Sequence, residues 1–163
     1  MYQELPMNRV FIRASLFLVF SIMMSSAASA AGTAEDAIKY RHAIMEEMAT
    51  HMSALTLILL NKVDGGDYAQ GHVDALARAS SEMDVLFPEI SKDGDTEALP
   101  AIWNNPEKFS EAVAKAQKAT ADFQSALSGG DRKATMAAFA AAGKTCKGCH
   151  ESYRAEDDDD HSH

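Results

Sequence analysis

Between Asp131 and Arg154 the chain reads DRKATMAAFAAAGKTCKGCHESYR, a helix written largely in small residues. Phe139, Ala142, Cys146, Cys149 and Tyr153 follow one another at spacings of three and four, so they share one face, and Asp131 is placed to cap the first turn. Six alanines at positions 134, 137, 138, 140, 141 and 142 leave that helix thin. Protein interiors are close-packed, so either a neighbouring helix comes very near or something other than side chains fills the space.

Three more helices precede it. Asn105 is an N-cap and Pro106 the first helical residue, and Phe109, Val113, Ala116, Thr120, Phe123 and Leu127 line one face as far as Gly129-Gly130. After Asp67, the positions Val73, Leu76, Ser80, Met83 and Phe87 repeat at three and four until Pro88. From Pro88 to Asn105, with Gly94 and Pro100, no period is sustained, which predicts a long connection. At the front, Thr33-Ala34-Glu35-Asp36 has the form of a capping box, and Ile38, Met45, Met48, Met52, Leu55 and Leu59 mark a helix of roughly 27 residues that ends before Gly65-Gly66. Helices of about 20 to 27 residues, with short glycine turns and one long crossover, predict an all-α antiparallel four-helix bundle over residues 31–155.

Outside the bundle, Arg9 and Arg13 precede the apolar run Leu16 to Met24, and Ala28-Ser29-Ala30 follows it. That order predicts a secretory signal peptide over residues 1–30, cleaved before Ala31, and no stable membrane anchor. Met7, ahead of Asn8 and Arg9, reads as a natural start. Residues 156–163, with four consecutive aspartates and His161 and His163, have no apolar residue and predict an acidic disordered tail. Weak capture of a divalent metal is a lesser reading of those two histidines.

The whole sequence of 163 residues carries 24 acidic and 15 basic side chains, a net charge of -9. Loss of residues 1–30 would leave 23 and 13, a net of -10. Such a surface excludes a nucleic-acid binder, and 47% hydrophobic residues exclude a disordered chain. Export to the periplasm makes the two cysteines notable, because an oxidising compartment does not leave a pair idle.

Cys146-Lys147-Gly148-Cys149-His150 has the C-x-x-C-H form of covalent haem c attachment. One helical turn separates the two sulfurs, so both can form thioethers to one porphyrin, and His150 is then aimed at the iron as proximal ligand. Gly148 leaves the helix bare where the porphyrin edge must approach. A redox pair would want a βαβ setting, a structural zinc site would want four ligands, and a disulfide here would close a tiny loop. Only 13 residues follow His150, so any sixth ligand comes from upstream.

The C-terminal position of this motif, the Glu151-Ser152-Tyr153-Arg154 that follows it, and Glu35 to Arg41 opening the first helix resemble the cytochrome c prime family, the class II c-type cytochromes. The resemblance runs over essentially the whole mature chain and includes Leu99-Pro100-Ala101-Ile102-Trp103. It implies a bundle enclosing one haem, commonly in a homodimer. It also places Arg41 near the haem propionates, Arg154 by the proximal imidazole and Met45 over the distal face of the iron. His42 stands where the family frequently has glutamine, so contacts through that side chain differ here. Ordinary surface charge is the competing reading of Arg41 and Arg154.

Two functions follow from Met45. As the sixth ligand it makes a one-electron carrier, since His plus Met ligation raises the reduction potential, and the acidic surface then suits a basic redox partner protein. As a residue that only lines the distal pocket, it leaves an open iron for a small gas such as nitric oxide or carbon monoxide. Met48 and Met52 read as core, and His51 and His72, like His42, as poor candidates for iron. No nucleophile or acid–base pair suggests an enzyme.

Overall fold

A computed structural model describes residues 32–155; the expected signal peptide at 1–30 and acidic tail at 156–163 lie outside the described residues. Helix α1 spans Ala34–Leu59. Its capping box is formed as expected: Thr33 Oγ1 accepts from Asp36 N at 3.1 Å, and Asp36 Oδ2 accepts from Thr33 N at 3.0 Å. These hydrogen bonds to Thr33 hold the Asp36 carboxyl below its ordinary pKa. The helix ends at Leu59, its 26 residues close to the roughly 27 expected, and it closes before reaching the glycine pair. Asn61 adopts φ +53°, Lys62 N donates to Leu57 O at 2.8 Å and Asn61 N to Ile58 O at 3.0 Å, a Schellman closure in which asparagine does the work usually left to glycine.

Helix α2 spans Gly66–Ser81, and its 16 residues fall short of the 20 or more predicted. The cause is local. Ser80 and Ser81 each turn their hydroxyl back to a carbonyl three residues earlier, Ala77 O at 3.0 Å and Arg78 O at 2.6 Å, and the chain tightens into a 3₁₀ turn at Met83–Val85. The crossover then holds a second 3₁₀ turn at Glu89–Ser91 and a short helix α3 at Ala101–Asn104. Helix α4, Pro106–Ser128, starts on the Asn105 cap and ends at Gly129 with Gly130 at φ +73°. Helix α5, Arg132–Tyr153, starts where Asp131 Oδ1 accepts from Ala134 N at 2.9 Å. Among the described residues there is no strand beyond one isolated bridge between Ala98 and Arg154.

The four long helices make the expected all-α antiparallel four-helix bundle. Helix α1 packs along α2, α2 along α4 and α4 along α5, whereas α1 and α5 share no extended backbone seam. They meet through side chains at one end. There Leu55 and Leu59 of α1, Val73 and Leu76 of α2, Phe123 of α4 and Ala142 of α5 form one buried cluster, and Arg132 Nη2 donates to Leu59 O at 2.9 Å. The α2–α4 seam carries a buried hydroxyl pair, Ser80 and Thr120, 2.6 Å apart. A second cluster, Ile44, Ala79, Met83, Leu86, Val113 and Ala116, runs on between α1, α2 and α4 without any α5 residue. Toward that end, the N-terminal half of α1 and the C-terminal half of α5 have no core in common.

Candidate functional site

A cavity of about 530 Å³ fills that gap, within the roughly 300–1,000 Å³ range of ligand pockets. Cys146, Cys149 and His150 line it from α5, and Met45, Met48 and Met52 from α1. The three residues of the attachment motif and the proposed distal methionine therefore border one space, contributed by two different helices. None of the six alanines of α5 borders the cavity; Ala142 belongs to the closed-end cluster and Ala138 packs on it, so that stretch is thin because neighbouring helices come near.

Each motif residue has a definite environment. Cys146 and Cys149 are unpaired thiols, half-buried. Burial pushes both thiol pKa values up, and at Cys149 the neighbouring Cys146 adds to the rise. Thiols held protonated are poor metal ligands and poor redox nucleophiles, and among the described residues no group of three or more His, Cys, Asp or Glu could hold a metal ion. His150 is pushed down from its ordinary pKa, first by desolvation and then by Arg154, with Glu97 opposing. A neutral imidazole with a free lone pair is the form that coordinates iron. At Gly148 an added Cβ would meet nothing within 4 Å, so no protein atom requires the glycine.

Arg41 is 3% exposed, which removes the surface-charge reading of it. Its Nη1 donates to Ser91 Oγ at 2.8 Å and Leu86 O at 3.3 Å, its Nη2 to Thr96 Oγ1 at 2.7 Å and Ser91 O at 3.4 Å. The guanidinium also lies 5.0 Å from the Phe87 ring centroid. Arg41 thus staples the crossover onto α1 while bordering the cavity. Beside it, the Tyr40 hydroxyl donates to Glu82 across the α1–α2 seam. Arg154 is exposed and pairs with Glu97 at 3.1 Å. The backbone around that pair is fixed as well, with Leu99 N donating to Tyr153 O at 2.9 Å and Ala155 N to Glu97 O at 2.7 Å, so the crossover also clamps the end of α5. His42 is exposed and borders the cavity, closer to the site than its separation from the methionine face suggests. Met48 and Met52, expected as core, do both jobs: they pack on the buried cluster and line the cavity.

Several contributors were not singled out by the sequence. Phe87, Phe109 and Tyr153 form an edge-to-face series with centroids 4.8 and 5.1 Å apart along one wall. All three lie on predicted helical faces, so the signal was present but read as packing. Ser91, Thr96 and Glu97 sit in the crossover, where no periodicity marks them. His51 and His72 do not line the cavity.

Comparison with known proteins identifies the family. The sequence profile of the family described as Cytochrome C' matches residues 36–154. A cytochrome c' from Rhodospirillum rubrum is 31% identical over 92% of this chain and all of its own length. A cytochrome c-554 from Cereibacter sphaeroides is 33% identical over 88% of this chain and 97% of its own. Among solved structures, the nitric oxide complex of a leucine-to-alanine variant of cytochrome c prime from Alcaligenes xylosoxidans superposes with a TM-score of 0.72 at 27% identity, covering 77% of this chain and 98% of that one. The chain belongs to the cytochrome c' family of c-type cytochromes, and its cofactor is covalently bound haem c with iron.

Proposed function

We propose that the protein is a one-electron carrier in which Cys146 and Cys149 hold the haem, His150 ligates the iron from α5 and Met45 ligates it from α1. The observation that carries this reading is the shared cavity, lined by the attachment motif on one helix and by a methionine on another. When bound, haem c would supply a one-electron iron couple. The two cysteines fix the group to a rigid helix one turn apart. His150, whose charged form desolvation disfavours, would offer a nitrogen lone pair, and Met45 a soft thioether sulfur that favours the reduced metal. Apolar walls from Met48, Met52 and Phe87 keep water away. Arg41, buried, and Arg154, exposed, place positive charge on the cavity lining, where they would meet the haem propionates and the proximal side respectively, and His42 borders the same cavity.

Export to the periplasm follows from the signal peptide, and among the described residues no helix is long and apolar enough to cross a membrane. A net charge of -10 after loss of residues 1–30 favours encounter with a basic redox partner protein at a rate that falls with salt. A homodimer would have Leu57, Leu60, Val63 and Tyr68 available, all exposed around the α1–α2 turn. The experiment for ligation is Met45→Ala: the substitution is expected to convert low-spin iron to high-spin, and an unchanged spectrum would assign the sixth position elsewhere.

The second reading, a five-coordinate gas binder, is favoured by the structural relative solved as a nitric oxide complex. On that reading Met45 only lines the distal pocket and restricts it to small diatomic gases.

A further inference from the structure

Away from the cavity, the α1–α2 seam brings two histidines together. His51 and His72 lie with their Nδ1 atoms 3.0 Å apart and their ring centroids 5.3 Å apart, tilted by 55°. Both are half-buried, both project from the bodies of helices rather than from loops, and the electron-carrier function uses neither.

We propose that this pair is a binding site for a divalent transition-metal ion, Cu²⁺ above the others, coordinated by Nδ1 of His51 and Nδ1 of His72. Two imidazole nitrogens about 2.0–2.1 Å from one ion and 3.0 Å from each other subtend about 90–97° at it. That is the angle between neighbouring positions of a square-planar or tetragonal site, the geometry of Cu²⁺ and Ni²⁺; tetrahedral zinc wants the nitrogens further apart. Within that geometry the Irving–Williams order places Cu²⁺ first.

The surroundings support the required tautomer. Glu47 Oε1, one turn earlier on α1, lies 3.8 Å from His51 Nε2 and is itself steadied by Arg78 Nη2 at 3.2 Å. At that distance Glu47 is not hydrogen-bonded to Nε2, but a carboxylate on that side favours the tautomer with its proton there and leaves the Nδ1 lone pair for the ion. No third His, Cys, Asp or Glu completes a cluster among the described residues, so water fills the remaining positions and the ion exchanges. The competing occupant of the gap is a single proton shared between the two nitrogens.

The test is calorimetric titration of CuCl₂ into full-length ferric haem protein, in a His161→Gln/His163→Gln background so that the tail does not compete. One equivalent is expected to bind saturably there, about tenfold more weakly or worse after His51→Gln or His72→Gln. Equal affinity in those variants, or no saturable binding in the background protein, would overturn the proposal and leave the shared proton as the explanation. Electron paramagnetic resonance of the copper in the same background protein is expected to show coupling to two nitrogens; coupling to fewer overturns the site without relying on the folding of any His51 or His72 variant.

Discussion

The two ends of this bundle are made of the same four helices, yet one is a core and the other a container. At the closed end Leu55, Val73 and Phe123 are completely buried, and Ala142 lets α5 come near enough to complete the cluster. At the open end the same α5 face carries Cys146 and Cys149 in place of apolar side chains, α1 answers with Met45, and the space between them stays free of protein. A three-and-four spacing marks both ends alike. The difference lies in what the face is made of: alanine where two helices must approach, reactive sulfur and imidazole where a third body must fit.

This contrast can be broken from either side. The largest effect is expected from Cys146→Ser with Cys149→Ser, which removes both attachment points: denatured protein, assayed for haem by its pyridine haemochrome, is expected to retain essentially none. Next comes Phe123→Ala, at the centre of the closed end. Its loss should destabilise the fold by about 3–5 kcal/mol in denaturant unfolding, while the haem spectrum of the folded protein stays as in the wild type. A spectral change of the same size as the stability loss would mean that the two ends are not separable.

Arg41→Ala joins the two regions, since this residue belongs to α1 but is bonded to the crossover. Removing a buried guanidinium takes a donor from Ser91 Oγ, Thr96 Oγ1 and the carbonyls of Leu86 and Ser91, and a loss of about 2–3 kcal/mol is expected, together with faster amide exchange over residues 86–96. The smallest effect is expected from Glu97→Gln. Its pair with Arg154 is exposed, so stability should change by less than about 1 kcal/mol, and a larger loss in unfolding experiments would give the clamp at the end of α5 more weight than its exposure suggests.

Much of this was legible in the residues. The starts of α1, α4 and α5 follow from Thr33, Asn105 and Asp131, because caps are local hydrogen-bonding events; α2 has no side-chain cap and begins at Gly66, just before the Asp67 after which its spacing is read. The length of α1 follows from its apolar spacing, which runs to Leu59, but the residue that closes it does not: Asn61, rather than the glycine pair four residues on, takes the left-handed conformation. Helix α2 was drawn too long because Met83 and Phe87 keep the helical spacing while the backbone, loosened at Ser80 and Ser81, has already tightened to 3₁₀. At the site, Cys146, Cys149 and His150 declare their chemistry by spacing alone. Arg41 does not: a charged residue buried by hydroxyls and carbonyls from a crossover 45 to 55 positions away leaves no trace in a local pattern. The meeting of His51 with His72 is hidden for the same reason, since it depends on how α1 and α2 pack.

The state of the iron in the untouched protein decides whether Met45 is a ligand. Visible absorption and resonance Raman spectra of the ferrous form should show a low-spin, six-coordinate haem that takes up carbon monoxide poorly. A high-spin ferrous haem that binds carbon monoxide readily would contradict Met45 ligation and make the protein a gas binder.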